Sequence, residues 1–259
     1  MRIALLSHAG AIKFAQVADA LQTRGVPIFL AVFEGRKPPP FTRQIWQAVA
    51  REGFGSLSKK IFRKVLRRPR SPTVAPAGTG SKPWPPASRY AADNGLKVLS
   101  LPDFNSAESL ARLKAEGIDL FVHAGAGILR ADLLALPRIG TLNAHMGLLP
   151  SYRGMNVVEW AALNNAPVGC TVHFIDPGID TGAIVATREV STEGARSVAE
   201  LRGRVDTAQL LLLAEVVGDI FRTGRSPEGK PQTGGAGKQY FAMHRDLYKI
   251  LQDRLSRHS

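Results

Sequence analysis

The sequence predicts an α/β fold: a doubly wound, mostly parallel sheet with an antiparallel extension and a C-terminal helical tail. Three observations lead to this prediction. Short apolar segments alternate with amphipathic ones through the first 145 residues, which is typical of strands covered by helices on both faces. From residue 166 the pattern changes to two neighbouring alternating runs, which indicates antiparallel strands. A long helical stretch then begins at residue 198.

The parallel part of the sheet is predicted from the apolar and amphipathic segments, taken in chain order. Residues 2–7 have an apolar centre and precede a short turn at residues 8–10, and the next segment has helical spacing through Phe14, Val17 and Leu21. The predicted strands are 2–7, 27–33, 97–101, 120–123 and 140–143, and the predicted helices are 14–24 and 107–116. This alternation is Rossmann-like, and ligands of such sheets bind beyond the carboxyl ends of the strands.

The second part of the chain has a different organisation. Its two alternating runs are joined by a loop that contains Pro177 and Gly178. This arrangement favours an antiparallel pair of strands over a continuation of the parallel, doubly wound sheet. We therefore predict a main domain over residues 1–195 and a helical and loop extension over residues 196–259. The elements predicted here are strands at 168–175 and 183–190 and helices at 198–221 and 244–257.

The positive charge is concentrated in one segment. The net charge is +13, and residues 36–90 hold thirteen Lys and Arg against the single acid Glu52, with nine of the seventeen prolines. We interpret them as a basic, Pro-rich insertion, with a short basic helix near residues 58–68 and then a loop. The first hypothesis is a solvated loop whose charge prevents aggregation. The second is that residues 56–70 contact an anionic membrane surface or another polyanion.

Composition excludes several classes of protein. The single cysteine, Cys170, excludes a disulfide framework and a clustered-cysteine metal site, so we expect no metal. No run of eighteen apolar residues is present, and the apolar run near the N-terminus is too short for a signal peptide. We therefore expect a cytoplasmic protein, peripheral at the membrane if the basic segment binds lipid. Sparse aromatic residues disfavour sequence-specific nucleic-acid binding, and the missing G-x-G-x-x-G and P-loop motifs disfavour a dinucleotide or P-loop nucleotide site.

Three polar residues form a candidate catalytic set. Asn143 and His145 stand two residues apart at the end of a predicted strand, so their side chains share one face of the sheet. An amide can donate to a carbonyl oxygen as it becomes an oxyanion, and an imidazole can assist that oxygen or move a proton. Asp180, in a Gly-flanked loop, can bring a carboxylate to the imidazole. No nucleophilic Ser or Cys joins this set, which favours direct attack by a substrate amine on a carbonyl donor; a structural histidine beside plain turns is the alternative.

Two long motifs carry a resemblance to a known family. They are GILRADLLALPRIGTLNAHMGLLPSYRG and GCTVHFIDPGIDTGAIV, in that order, between about residues 125 and 190. Together they resemble the 10-formyltetrahydrofolate-dependent formyltransferases, and they are closest in motif to the sugar N-formyltransferases and methionyl-tRNA formyltransferase. The resemblance implies a formyltransferase catalytic domain over residues 1–195 that takes its formyl group from 10-formyltetrahydrofolate.

The resemblance also implies roles for individual residues. Asn143, His145 and Asp180 match the family's catalytic residues. Gly147 stands where the usual pattern has a serine before Leu-Leu-Pro, so one small hydroxyl contact is lost. An apolar pair matches the lining of the pteridine pocket, and a following loop matches the backbone that hydrogen-bonds the pteridine. These cofactor-binding residues are Ile128 and Leu129 in the pair and Asp176, Gly178, Ile179 and Asp180 in the loop.

Several other residues are weaker candidates. His173, in the strand motif Thr-x-His, has an active-site and a structural interpretation of equal weight. His123, Cys170 and Trp160 are expected to be structural. We expect contacts to the substrate from four residues: His8, Tyr152, Arg153 and Glu159.

Features that the sequence lacks disfavour three of the known reactions of the family: formyl transfer to glycinamide ribonucleotide, formyl transfer to tRNA, and hydrolysis. The turn after the first strand lacks the Gly-Ser-Asn phosphate loop of the glycinamide ribonucleotide enzymes. We expect no barrel domain like that of the tRNA enzymes, because only 79 residues follow Asp180 and most of them are predicted helix or loop. We also expect no regulatory domain like that of the formyltetrahydrofolate hydrolases, because the sequence starts directly at its first predicted strand.

A small-molecule amine remains. Residues 152–160, YRGMNVVEW, resemble sugar N-formyltransferases linked to surface polysaccharide synthesis, so we expect the amine of a nucleotide-linked amino sugar. Transfer to methionyl-tRNA or glycinamide ribonucleotide, hydrolysis, and a non-catalytic folate- or RNA-binding role stay open as alternatives. Since many relatives pair through their C-terminal regions, the resemblance also implies a homodimer.

Overall fold

The structure is a computed structural model that describes residues 1–35, 83–233 and 237–257. The predicted basic helix near residues 58–68, and with it the basic segment 56–70, lies outside the described residues. Residues 87–90, which the sequence interpretation includes in the insertion, form the first turn of a helix in the main body, where Ala87 and Tyr90 are buried. In the described part of the chain, no helix combines the length and apolar character that crossing a membrane requires.

The described elements alternate as predicted. The strands are β1 (Ile3–His8), β2 (Leu30–Glu34), β3 (Val98–Leu101), β4 (Leu120–His123), β5 (Gly140–His145), β6 (Tyr152–Gly154), β7 (Val168–Phe174), β8 (Ile184–Val190) and β9 (Lys238–Tyr240). The helices are α1 (Lys13–Thr23), α2 (Ala87–Asp93), α3 (Ala107–Ala115), α4 (Ala131–Leu134), α5 (Val157–Leu163), α6 (Val198–Thr223) and α7 (Arg245–Arg257).

One sheet of seven described strands organises these elements, in the order β3-β2-β1-β4-β5-β7-β8. The strands from β3 to β5 are parallel, whereas β7 and β8 are antiparallel to their neighbours. The predicted doubly wound sheet with an antiparallel extension is therefore confirmed. Strand β5 is two residues longer than its sequence pattern indicates, because Ala144 and His145 pair with Val172 and Thr171 of β7.

The sheet is covered on both faces, as its apolar strands predict. Along β1, Ile3 and Leu5 belong to one buried cluster and Ala4 and Leu6 to the other, since successive side chains point to opposite faces. Residues of α1, α2, α5, α6 and α7 contribute to the first cluster, and residues of α3 and α4 contribute to the second. Two hydrophobic layers thus hold the carboxyl ends of the parallel strands in place.

Helix α6 belongs to the first of these layers. Ser197 caps its N-terminus by accepting a hydrogen bond from the Glu200 N–H at 3.1 Å, and Gly224 ends it in the left-handed region at φ 67°. Its buried residues pack against β5, β7 and β8. The division between residues 195 and 196 stays a prediction.

A second, two-stranded sheet has no counterpart in the sequence analysis. Strand β6 pairs in parallel with β9, with Tyr152 opposite Lys238 and Gly154 opposite Tyr240. Tyr152 also stacks on Tyr240 with ring centroids 5.1 Å apart. Two three-residue strands this far apart in the chain carry no periodic pattern, so their pairing depends on tertiary contacts alone. The pairing fixes the segment that follows β5.

Candidate active site

The polar residues of the first motif converge at the carboxyl end of β5. Asn143 and His145 lie on this strand, and the register of the antiparallel pair places Asn143 opposite His173 of β7. The loop between β7 and β8 brings Asp180 to the same place. Its backbone is in the left-handed region at φ 54°, a conformation that turns the chain sharply. The structure therefore brings together the three residues that the sequence predicts as catalytic.

Asp180 is held by a backbone N–H from one segment and a side-chain amide from another. Its Oδ2 atom accepts a hydrogen bond from the Gly154 N–H at 2.9 Å. The Gln232 side chain donates to the carbonyl oxygens of Asp180 at 3.0 Å and of Gly182 at 2.7 Å. Within the loop, Asp176 Oδ1 accepts from the hydroxyl of Thr181 at 2.6 Å. These bonds fix the carboxylate of Asp180 in a partly exposed position, with 17% of the side chain exposed.

The hydrogen bonds of His145 decide which of its nitrogens can exchange a proton with Asp180. Its Nε2 atom lies 2.8 Å from the carbonyl oxygen of Tyr152. Because a carbonyl oxygen can only accept, Nε2 carries the hydrogen. The other nitrogen, Nδ1, lies 3.5 Å from Asp180 Oδ2. A proton that arrives on Nδ1 is therefore shared with the carboxylate, and the imidazolium so formed is stabilised by it.

His173 is part of the site and has the opposite tautomer. Its Nδ1 atom lies 2.8 Å from the Phe174 carbonyl oxygen and donates to it. Its Nε2 atom is then an acceptor and lies 3.2 Å from Asn143 Nδ2. Burial lowers the pKa of His173 below its ordinary value, which favours this neutral form. His173 thus fixes the direction in which the amide of Asn143 points.

A cavity of about 360 Å³ opens beside these groups, between the sheet and helices α1, α5 and α6. The charged side chains that line it, Lys13, Arg202 and Asp206, are each held in an ion pair, and the partner of Arg202 is the buried Glu159 behind the lining. Lys13 Nζ lies 2.8 Å from Asp206 Oδ1, and Arg202 Nη1 lies 2.9 Å from Glu159 Oε1. The cavity is lined by Lys13, Val17, His123, Gly125, Asn143, Ala144, His145, Met146, Gly154, Asn156, Val157, Val158, Arg202, Asp206, Gln209 and Leu213.

Helix α6 contributes residues to the cavity that were not among the predicted site residues. Arg202, Asp206 and Gln209 all line the cavity, and the Gln209 amide donates to Asp206 Oδ1 at 2.6 Å. Their spacing of four and then three residues places them on one stripe of the helix. This polar stripe beside the apolar positions of α6 is the signal from which they could have been found.

The predicted cofactor residues lie on two loops near the site. Ile128 is 79% exposed, whereas Leu129 is buried in the second core cluster. Asn105 holds this loop, because its amide donates to the Ile128 carbonyl oxygen at 2.9 Å and its Oδ1 accepts from the Arg130 N–H at 2.7 Å. On the other loop, Ile179 is 56% exposed and the Gly178 N–H donates to Asp176 Oδ1. Their contact with a pteridine stays a prediction.

Two of the predicted substrate residues lie on β6. Tyr152 is buried, and its hydroxyl accepts from the Asn164 amide at 3.4 Å. Arg153 donates through Nη2 to the Gly237 carbonyl oxygen at 3.4 Å. Tyr152 thus contributes to the site through its backbone oxygen, which holds His145. A side-chain contact of either residue with a substrate stays a prediction.

Glu159 and His8 are the other two predicted substrate residues. Glu159 is buried and accepts hydrogen bonds from Arg202 and from the Asn156 amide. It borders the cavity through Arg202, which is one of the lining residues. His8 ends β1 next to Glu34 of β2. Their substrate contacts stay predictions.

Cys170 and Trp160 have the surroundings of structural residues, whereas His123, also expected to be structural, is one of the residues that line the cavity. His123 Nε2 lies 3.1 Å from the Ala126 carbonyl oxygen, and burial lowers the pKa of its imidazole. Cys170 is buried, and burial raises the pKa of its thiol to about 11, which disfavours the reactive thiolate. The indole N–H of Trp160 donates to the Phe241 carbonyl oxygen at 2.9 Å.

Comparisons with known proteins show which proteins the chain is similar to. A family model described as formyl transferase matches residues 79–217. The methionyl-tRNA formyltransferase of Ruminiclostridium cellulolyticum is 34% identical over 149 residues, which cover 56% of this chain and 46% of that protein. The enzyme of the same name from Rhodopirellula baltica is 32% identical over 200 residues, 74% of this chain and 58% of that protein. The matched region spans about half the length of these curated relatives.

Solved structures show the same fold. Glycinamide ribonucleotide transformylase 1 from Symbiobacterium toebii has a TM-score of 0.57 and 19% identity, over 90% of this chain and 94% of that one. A sugar N-formyltransferase from a Shewanella species has a TM-score of 0.58 and 16% identity, over 98% of this chain and 88% of that one. With the family model covering more than half of the sequence, the chain belongs to the formyl transferase family.

Proposed function

We propose that the chain transfers a formyl group from 10-formyltetrahydrofolate to a primary amine by direct attack of the amine. The observation that carries this proposal is the convergence of Asn143, His145 and Asp180 beside one cavity. Among the described residues that line the cavity there is no serine or cysteine that could form a covalent intermediate. Membership in the formyl transferase family supports the same chemistry.

Asn143 stabilises negative charge in this mechanism, whereas His145 and Asp180 transfer protons. One N–H of the Asn143 amide is directed to His173, and the other donates to the formyl oxygen as it becomes anionic. When the amine attacks, it must lose a proton, and the nitrogen that leaves the formyl carbon must gain one. His145 Nδ1 and Asp180 Oδ2, 3.5 Å apart, take up that proton and return it to the leaving nitrogen.

The loops beside the site fit a flat, partly apolar ring system. Ile128 and Ile179 expose 79% and 56% of their surface, and each stands on a loop held by hydrogen bonds. Burying such exposed apolar side chains under an aromatic group is energetically favourable. When bound, 10-formyltetrahydrofolate supplies the formyl group, and Ile128, Leu129 and residues 176–180 are the ones that would hold its pteridine.

For the acceptor, we propose the amine of a nucleotide-linked amino sugar. The cavity of about 360 Å³ is at the lower end of the range for small-molecule sites and accommodates a sugar. Its charged groups are largely paired with one another, which leaves hydrogen-bonding groups for an uncharged ring. The resemblance of residues 152–160 to sugar N-formyltransferases favours the same class.

Transfer to methionyl-tRNA is the second candidate. The observation in its favour is that curated relatives of 30–35% identity carry the name methionyl-tRNA formyltransferase. The basic segment at residues 56–70 would suit a polyanion as well as a membrane surface.

An assay for tetrahydrofolate release distinguishes these acceptors. The purified chain is incubated with 10-formyltetrahydrofolate and one of several amines: UDP-linked and dTDP-linked 4-amino sugars, glycinamide ribonucleotide, methionyl-tRNA, or none. We expect release, followed by absorbance, with one amino sugar only. Release with methionyl-tRNA would identify the second candidate, release without an amine would indicate a hydrolase, and no release would contradict the proposed activity.

His173 provides a smaller test of the proposed mechanism. The His173→Ala substitution removes the acceptor that directs the Asn143 amide, so we expect kcat for formyl transfer to fall about tenfold. His173→Gln, whose amide oxygen can still accept, should retain more activity. The KM values of both substrates should change less than twofold, because His173 acts on charge that develops during the reaction. An unchanged kcat in His173→Ala would show that the contact is only structural.

A further inference from the structure

Two titratable side chains meet at the carboxyl ends of β1 and β2, outside the set described above. His8 is the last residue of β1, Glu34 is the last residue of β2, and the two are paired in register. His8 Nδ1 lies 3.6 Å from Glu34 Oε2. The side chain of Glu34 is 2% exposed and that of His8 is 41% exposed. The pair therefore joins a buried carboxylate to an imidazole that solvent can reach.

One oxygen of this carboxylate has no hydrogen-bond donor among the described residues. Glu34 Oε1 accepts from the Phe104 N–H at 3.1 Å, whereas Oε2 is buried without a partner. Buried polar atoms in native proteins nearly always have partners, and an exception requires an explanation. A hydrogen-bond donor that arrives with a ligand is one explanation.

Gly127 leaves room for such a donor. A methyl group on its Cα would stand 3.5 Å from Glu34 Oε2 and 3.6 Å from His8 Nε2, which are ordinary contact distances. The missing side chain thus leaves a space of about one small group between the carboxylate and the imidazole. Gly125, two residues earlier, lines the cavity, and its carbonyl oxygen accepts from the His8 N–H at 3.3 Å. The space adjoins the wall of the cavity.

We propose that Glu34, together with His8 and Gly127, binds the ribose hydroxyls of a ribonucleoside diphosphate that the acceptor carries. This inference rests on the proposed function. In doubly wound sheets that bind dinucleotides, an acid at this position of the fold accepts a hydrogen bond from a ribose hydroxyl. A hydroxyl group both donates to Glu34 Oε2 and can bond to His8 Nε2, whereas a phosphate would be repelled by the carboxylate.

Calorimetry with matched nucleotides tests the inference without any formyl donor. The probes are the diphosphates of uridine, adenosine, guanosine and cytidine, each compared with its 2′-deoxy form. We expect the wild-type chain to bind at least one ribonucleotide about tenfold more tightly than the deoxy form. In Glu34→Gln, which keeps an oxygen for the Phe104 N–H, the difference should disappear. Equal affinity for both forms, or no binding of any probe, would overturn the proposal.

A second pair of variants distinguishes the loss of the ribose site from a general folding defect. Gly127→Ala fills the space with a methyl group at ordinary contact distances, and we expect it to weaken binding of the ribonucleotide at least fivefold. Gly10→Ala is the matched control, because a methyl group there meets nothing within 4 Å, and it should bind as the wild type does. Equal binding by the two variants would contradict the site. Tetrahydrofolate release, measured separately, reports on the proposed function alone.

Discussion

Asn143→Ala is expected to lower kcat for formyl transfer by about 10²–10³-fold, the cost of removing one donor to a developing oxyanion. The amide of Asn143 is already oriented by His173, so the donor is in place before the formyl group arrives. Alanine leaves the formyl oxygen without this partner at the moment when it becomes anionic. The measurement is the steady-state rate of tetrahydrofolate release with the acceptor identified in the amine panel.

The control for this prediction is another asparagine. Asn94 ends α2, and its amide donates to the Tyr90 carbonyl oxygen at 2.9 Å. Asn94→Ala removes a side-chain hydrogen bond of similar kind outside the cavity lining, so kcat should stay within twofold of the wild-type value. If Asn143→Ala behaved in the same way, the amide would have no part in stabilising the oxyanion.

Asp180→Asn is expected to lower kcat by about 10²-fold while the fold is retained. The amide has nearly the same shape, and its oxygen can still accept from the Gly154 N–H. It carries no charge, however, so it can neither stabilise the imidazolium of His145 nor hold the proton that moves from the amine to the leaving nitrogen. The thermal unfolding midpoint, measured beside kcat, separates this loss from unfolding.

Asp93→Asn is the matched substitution for Asp180→Asn. Asp93 is an exposed residue of α2 that pairs with Arg89, and exposed pairs of this kind contribute little to stability. Both the unfolding midpoint and kcat should therefore be unchanged in this control. A rate for Asp180→Asn within threefold of the wild type would mean that the transferred proton takes another route.

The sequence was most informative where local pattern and burial agree. Strand β4 has the predicted bounds of 120–123, because Leu120, Phe121 and Val122 are buried and no polar residue interrupts them. Strand β5 was predicted over residues 140–143 only. Its last two residues stay in the sheet through pairing with β7, a contact that no local pattern reveals.

In the candidate active site, too, the contacts that depend on tertiary structure could not be predicted from the local sequence pattern. The side-by-side placement of Asn143 and His145 follows from the two-residue period of a strand, whereas the approach of Asp180 depends on the left-handed turn at that residue and on the Gly154 N–H. The polar stripe of α6 is visible in the sequence as Arg202, Asp206 and Gln209, but the sequence does not show that this stripe faces a cavity. Their role emerges only when the helix is placed against the sheet.

The pairing of β6 with β9 makes catalysis depend on residues synthesised late. Gly154 supplies the N–H that holds Asp180, and its partner across the small sheet is Tyr240. A side chain at Gly154 would overlap the Tyr240 carbonyl oxygen, so the two backbones fit only by close approach. We therefore expect a nascent chain to form its large sheet before residues 238–240 emerge from the ribosome, and to position Asp180 only after the small sheet has formed.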